Sequence, residues 1–189
     1  MTTKEVQDAL AKLGWPIEVD GAFGPQSFRA VKDFQRGFAL SNLVPDGHAG
    51  QKVYDALQQA LDHGGGCSLH FTFKEWKSKG DGWIKVSREL VLGLEDYRAL
   101  LGQPVVIASG YRDPAHNAAV GGKPNSQHLY GNAADIPATV LSDKVKALGR
   151  FSGIGIQRAN GLVRHVDVRH VGPNTTGGTP RDPTIWFYD

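Results

Sequence analysis

Residues 162–170 read LVRHVDVRH, and the reading of that stretch decides the fold of the larger part of the chain. From Leu162 to Val168 apolar and polar residues alternate, which is the period of a half-buried β-strand. A strand there places Val163, His165 and Asp167 on one face and Arg164, Val166 and Val168 on the other. Two groups able to ligate a metal then stand side by side among apolar neighbours. A carboxylate in such a place needs a hydrogen-bonded partner or a cation. The stretch Asn125–Ile136, NSQHLYGNAADI, poses the same problem, because Asp135 opposes Ala134 and Ile136. Together with SGYRDPAHNAAVGG from Ser109, these segments hold four of the seven histidines and Arg112. A histidine, a carboxylate seven residues later and a distant second histidine can supply N, O and N ligands and leave one position open, as catalytic zinc requires. His128, Asp135 and His165 fit that description. On the residues alone, Asp167 can equally pair with Arg164 or Arg169, and His128 with Asp135 can belong to a cap or turn.

Working outward, Leu90, Val91, Leu94, Tyr97 and Leu101 recur at helical spacing. Val105–Ala108 is a short buried-strand candidate ended by Ser109-Gly110. Ser142 is a candidate cap for a helix carrying Val145 and Leu148. Residues 69–76 show no clear period. The expectation for residues 69–189 is an α+β domain with a small central antiparallel sheet, a mixed sheet being the alternative.

The N-terminal segment reads differently. Val6, Ala9, Leu10 and Leu13 form one apolar stripe; Phe28, Val31, Phe34 and Phe38 form a second; Val53, Ala56, Leu57, Ala60 and Leu61 form a third. Three short helices are expected over residues 1–62. A weak repeat, Asp20-Gly21-Ala22-Phe23-Gly24 and Asp46-Gly47-His48-Ala49-Gly50, precedes the second and third of them, and such Asp-Gly turns suit tight helix connections. Residues 1–62 carry six basic and eight acidic residues, whereas the remainder carries fifteen and eleven. The break falls at His63-Gly64-Gly65-Gly66-Cys67-Ser68, which reads as a flexible linker.

The 189 residues are 40% hydrophobic and 21% charged, a composition too apolar for a disordered chain. No apolar run of about 18 residues exists to span a membrane. A single cysteine, Cys67, rules out a disulfide framework within the chain, and a net charge of +2 gives no argument for nucleic acid. The polar start MTTKEVQDAL lacks the pattern of a secretory signal, so the chain is expected to stay in the cytoplasm until something releases it.

The spaced positions of WPIEVDGAFGPQSFRAVKDFQ, followed by LVPDG, resemble the three-helix peptidoglycan-binding domain attached to many cell-wall hydrolases. This implies a wall-binding role, through a shallow groove beside the Asp-Gly turns. SGYR, then HN and VGG, then S-x-H-x-x-G-x-A-x-D, then GIG and HVDVR resemble the zinc-dependent D-Ala-D-Ala carboxypeptidase and endopeptidase family. That family belongs to a wider group with lysostaphin-type peptidases and hedgehog domains. The resemblance implies Zn²⁺ held by His128, Asp135 and His165. It implies Asp167 as general base or orienter of the water, Arg112 on a substrate carboxylate or the oxyanion, and Ser126 positioning substrate or His128. Some relatives use an acid-x-x-histidine arrangement, which Asp167 and His170 also satisfy. Strand alternation favours His165 as the third ligand. His116 and Asn117 are read as structural, and Cys67 as incidental.

The expected activity is zinc-dependent hydrolysis of an amide bond in the wall peptide, by a monomer with peptidoglycan as partner and neither nucleic acid nor membrane insertion. The combination of modules is similar to phage endolysins, which act on the wall after release from the host cytoplasm. A non-catalytic wall-binding protein and an N-acetylmuramoyl-L-alanine amidase are the competing readings.

Overall fold

The computed structural model describes residues 1–171 and 177–189. Three helices open the chain: α1 (Thr3–Leu13), α2 (Pro25–Gly37) and α3 (Gln51–Asp62). Helix α1 starts at a reciprocal capping box between Thr2 and Glu5 and stops at Gly14, whose φ of 114° only glycine adopts cheaply. Its buried face is Val6, Ala9, Leu10 and Leu13, the stripe expected from spacing. Helices α2 and α3 begin at Gly24 and Gly50 without a side-chain cap. The two Asp-Gly turns before them are near copies. Gln7 Nε2 donates to Asp20 Oδ1 at 2.7 Å while Gly21 N donates to Gln7 Oε1; Gln35 does the same for Asp46 and Gly47. Gly21 and Gly47 share a φ of 81°. Phe28 departs from its stripe: it is 39% exposed and lies over Gly47, where a Cβ would come within 2.5 Å of its ring.

The remaining chain supplies α4 (Arg88–Leu101), α5 (Pro114–Ala119), α6 (Ser142–Ala147) and four strands: β1 (Ala133–Asp135), β2 (Gly153–Gln157), β3 (Val163–Asp167) and β4 (Thr184–Tyr188). The sheet order is β1-β3-β2-β4. β3 pairs antiparallel with both neighbours, and β4 joins β2 in parallel. The sheet is therefore mixed rather than purely antiparallel, because β4 adds to the edge of β2 in the same direction. Val105–Ala108 is not a buried strand. Val106 is 62% exposed, and the segment reaches the sheet only at its end, where Ala108 N and Asp135 N exchange bonds with Asp135 O and Ser109 O. With only three residues, β1 offers no longer edge to pair with. Ser142 is the first residue of α6, and Leu141 occupies the cap position without a side-chain bond. In residues 69–76 a 3₁₀ turn, Phe73–Trp76, is closed by a capping box between Thr72 and Glu75.

One continuous set of buried apolar side chains runs through helices and sheet alike. Trp15 packs on Phe73 at 4.9 Å between ring centroids and donates its indole N–H to Ile84 O. Trp83 donates to Asp33 Oδ2 on α2 at 2.8 Å, and the Arg29 guanidinium lies 4.0 Å over the Trp83 ring. Residues 63–68, expected as a flexible linker, are tied down instead. Gly65 N and Gly66 N donate to Ala60 O, Cys67 N donates to Phe71 O, and Cys67 O accepts from Ala39 N at 2.7 Å. Cys67 is fully buried, and burial pushes its thiol up to about 12, so it is an unreactive packing residue.

Candidate metal centre

The three stretches singled out in the sequence meet on one face of the sheet. β3 carries His165 and Asp167 one pleat apart. β1 carries Asp135 directly opposite His165 in antiparallel register. His128 arrives on the 3₁₀ turn Gln127–Tyr130, which Ser126 caps by accepting from His128 N. On the far side, β2 presents Gly153 opposite Asp167 and Gly155 opposite His165. A Cβ on Gly153 would sit 2.3 Å from Asp167 Oδ2, so the two glycines of GIG leave room for the two polar side chains of β3.

His128, Asp135 and His165 each offer one ligand atom, and these atoms lie within 4.8 Å of one another. His128 turns Nε2 towards Asp135 Oδ1 at 3.2 Å, and His165 turns Nδ1 towards the same oxygen at 2.8 Å. Each imidazole has its other nitrogen held. His128 Nδ1 lies 2.6 Å from Gly110 O, and His165 Nε2 lies 3.3 Å from Asp167 Oδ2. Such outer partners fix the tautomer and the ring plane of a ligating histidine. Gly110 can come this close because a Cβ there would press on Trp76 at 2.9 Å. Two nitrogens and a carboxylate converging on one point, each braced from behind, fit a zinc ion with an open position.

The electrostatics follow the same geometry. Burial pushes the His128 imidazole down, against the pull of Asp135. Burial also works against a charged His165, but its hydrogen bonds to Asp135 and Asp167 outweigh it and hold the imidazole above its ordinary value. Burial opposes ionisation of Asp135, yet the two histidines keep it well below the usual carboxylate range. For Asp167 the opposing burial is overcome first by Arg169 and then by His165, leaving the carboxyl at about 2.

Asp167 is wholly buried, and both its oxygens are taken. Oδ1 accepts from Arg169 N and Nε, and Oδ2 accepts from Arg169 Nη2 at 2.7 Å. It stands behind His165 rather than among the converging atoms. His170 is exposed and its Nδ1 pairs with Ser152 Oγ at 2.8 Å, away from the cluster. Arg112 is at the site: Nη2 contacts Asp135 Oδ2, and Nε donates to Ser109 Oγ at 2.9 Å. Asn117 braces the neighbouring loop through Lys123 O. Of the two arginines that the sequence offers to Asp167, Arg164 and Arg169, the structure pairs it with Arg169. Sequence reasoning passed over Trp186, whose ring meets His165 edge-on at 4.9 Å and lies 5.2 Å from the Arg169 guanidinium.

A small sheet that gathers two imidazoles and a carboxylate, each backed by a second group, is the layout of a metal-binding centre with an open position. Residues 68–171 match the Peptidase M15 family, and the chain belongs to that family. Residues 2–57 match a family described as a putative peptidoglycan binding domain. Over 137 residues the chain is 32% identical to a protein of Streptomyces albus G named zinc D-Ala-D-Ala carboxypeptidase. That alignment covers 66% of this chain and 52% of the relative, so the chain spans about half the length of the curated relative it matches.

Proposed function

We propose that the chain is a zinc peptidase that hydrolyses an amide bond in the peptide part of peptidoglycan, with residues 69–189 doing the chemistry and residues 1–62 engaging the wall. The observation that carries this reading is the convergence of His128, Asp135 and His165 within 4.8 Å, each imidazole braced by a second acceptor. His128 through Nε2, Asp135 through its carboxylate and His165 through Nδ1 would hold the ion. Zinc bound there supplies Lewis acidity to a carbonyl and acidifies a water near neutral pH.

The other residues have separable tasks. Gly110 O keeps the proton of His128 on Nδ1, and Asp167 keeps that of His165 on Nε2, so each imidazole, once neutral, would present its other nitrogen's lone pair to the ion. Asp167 is a positioning residue, since neither of its oxygens is open to a water. Arg112, with Nη1 making no hydrogen bond among the described residues, offers a donor to a substrate carboxylate or to the developing oxyanion. Ser126 acts through the turn that carries His128. A shallow depression of about 360 Å³ lined by Thr2, Val6, Phe23, His48 and Gly50 lies beside the second Asp-Gly turn and suits a wall fragment. An endolysin-like role, with release from a host cytoplasm, is the setting this pairing of modules supports.

The test is mass analysis of fragments released from purified peptidoglycan, with and without a chelator. New amine and carboxyl ends within the stem peptide, lost on chelation and restored by zinc, are expected. Release cut at the muramoyl–L-alanine bond would instead make the chain an amidase, and no release at all would make it a binding protein.

A further inference from the structure

The last strand, β4, lies outside the residues matched to the peptidase family, yet it builds one side of the candidate centre. Across the sheet, His165, Gly155 and Trp186 stand in one row, because Gly155 pairs with both of the others. Two residues on, Tyr188 returns to the same face. A Cβ on Gly155 would lie 2.6 Å from the Tyr188 ring, 2.9 Å from Trp186 Nε1 and 3.0 Å from His165 Cβ, so the three side chains close over a glycine floor. Trp186 meets Tyr188 at 6.4 Å between centroids. Tyr188 is 37% exposed and near enough to Asp135 and Arg112 to feel their charges. Its phenol is a donor, and no acceptor holds that proton among the described residues.

We propose that Trp186 and Tyr188 form a specificity wall of the active site, which receives the residue on the carboxyl side of the scissile amide: a small alkyl side chain against the rings, and its carboxylate or carbonyl accepting the Tyr188 hydroxyl beside Arg112. This rests on the reading of the site as a wall-peptide peptidase. The aromatic faces give contact area at little entropic cost, and the hydroxyl with the guanidinium selects an anionic end. β4 thereby adds substrate selection to a metal cluster built entirely by the family-matched part.

The probes are an acylated Lys-D-Ala-D-Ala tripeptide and its C-terminal amide, tested on the zinc-loaded full chain. Tyr188→Phe keeps the packing and removes the donor. Its KM for the free acid should rise about 10- to 150-fold, as for one lost hydrogen bond to a charged group, with kcat within about twofold and the preference for acid over amide reduced. Zinc stoichiometry and Tm should match the unaltered protein. Trp186→Leu should raise KM for both probes. A Tyr188→Phe enzyme with unchanged KM and unchanged acid-to-amide preference overturns the wall. If the unaltered protein cleaves neither probe nor any wall peptide, the functional reading has failed instead. Calorimetric binding of the tripeptide to the two Tyr188 forms then decides the wall by itself: weaker binding to Tyr188→Phe supports it, and equal or absent binding overturns it.

Discussion

His128 and His165 contact the same oxygen of Asp135, but their other partners differ: a neutral carbonyl for one and a carboxylate for the other. In the metal-free protein His165 is therefore the imidazole that keeps its proton towards higher pH, and His128 the one that loses it early. Because the folded value of His165 lies above that of an unfolded imidazole, its proton stabilises the metal-free fold below about 6.5. That contribution fades as pH rises through the folded value. A ligating imidazole must be neutral, so zinc has to expel this proton. Zinc titration near neutral pH should release about one proton, read by calorimetry in buffers of different ionisation enthalpy, and His165→Ala should abolish most of the release. Asp167 gives a second prediction at this scale. Asp167→Asn should weaken zinc by about 10- to 100-fold, as losing an outer partner of a ligand does, and excess zinc should restore much of the turnover. Full zinc occupancy with no turnover at any zinc concentration would instead identify Asp167 as the general base.

Helix α5 and strand β2 show how short elements set the site. Asp113 caps α5, accepting from Ala115 N and His116 N while its other oxygen accepts the Ser78 hydroxyl at 2.6 Å. The Ser78 bond and the backbone donors hold its carboxyl at about 2. A folded value depressed in this way contributes stability that is present above about 4 and lost as pH falls towards 2. Asp113→Ala should cost about 1–2 kcal/mol at neutral pH, and the Tm difference from the unaltered protein should shrink in acid. In β2, Gly153→Ala would drive a methyl into the Asp167 carboxylate, so it should lower both Tm and zinc affinity, whereas Gly24→Ala meets nothing within 4 Å. The sequence pattern made such elements unequally legible. The α1 stripe and the alternation of 162–168 were readable because spacing alone fixes which face is buried. Phe28 was not, since its place over Gly47 depends on a turn nineteen residues away. The paired glutamines Gln7 and Gln35, buried on the two Asp-Gly turns, break the apolar rule and carry no periodic signal. β4 was invisible for a similar reason: TIWFY has no alternation and is paired only through β2.

At the scale of the molecule, the helical part and the sheet part share a core, and the Arg36 side chain ties the first to the segments that carry the metal ligands. Arg36, in the last turn of α2, donates to Tyr130 O at 2.6 Å, the last residue of the turn that carries His128. Its other terminal nitrogen donates to Asn132 Oδ1, and Asn132 in turn donates to Val171 O while its carbonyl accepts from Val168 N beyond β3. The guanidinium thus bridges the His128 turn and the segment that follows His165. Burial lowers the pKa of Arg36, but Asp33 and Glu89 favour its charge, and an arginine stays ionised here. Arg36→Met keeps most of the side-chain volume and leaves a half-buried carbonyl and the amide of buried Asn132 without their donor, which costs about 2–4 kcal/mol. Its Tm should fall and its zinc affinity with it, although Arg36 touches no ligand. Arg29→Ala makes the contrast: that guanidinium is half exposed and rests on the Trp83 face, so about 1 kcal/mol or less should be lost and zinc affinity should hold. Arg36→Lys can reach one acceptor but not both, and should fall between. If Arg36→Met destabilises the fold while zinc binds as before, α2 merely supports the sheet part. If both fall together, the helical half is a working part of the metal site, and the two halves cannot be exchanged as independent modules.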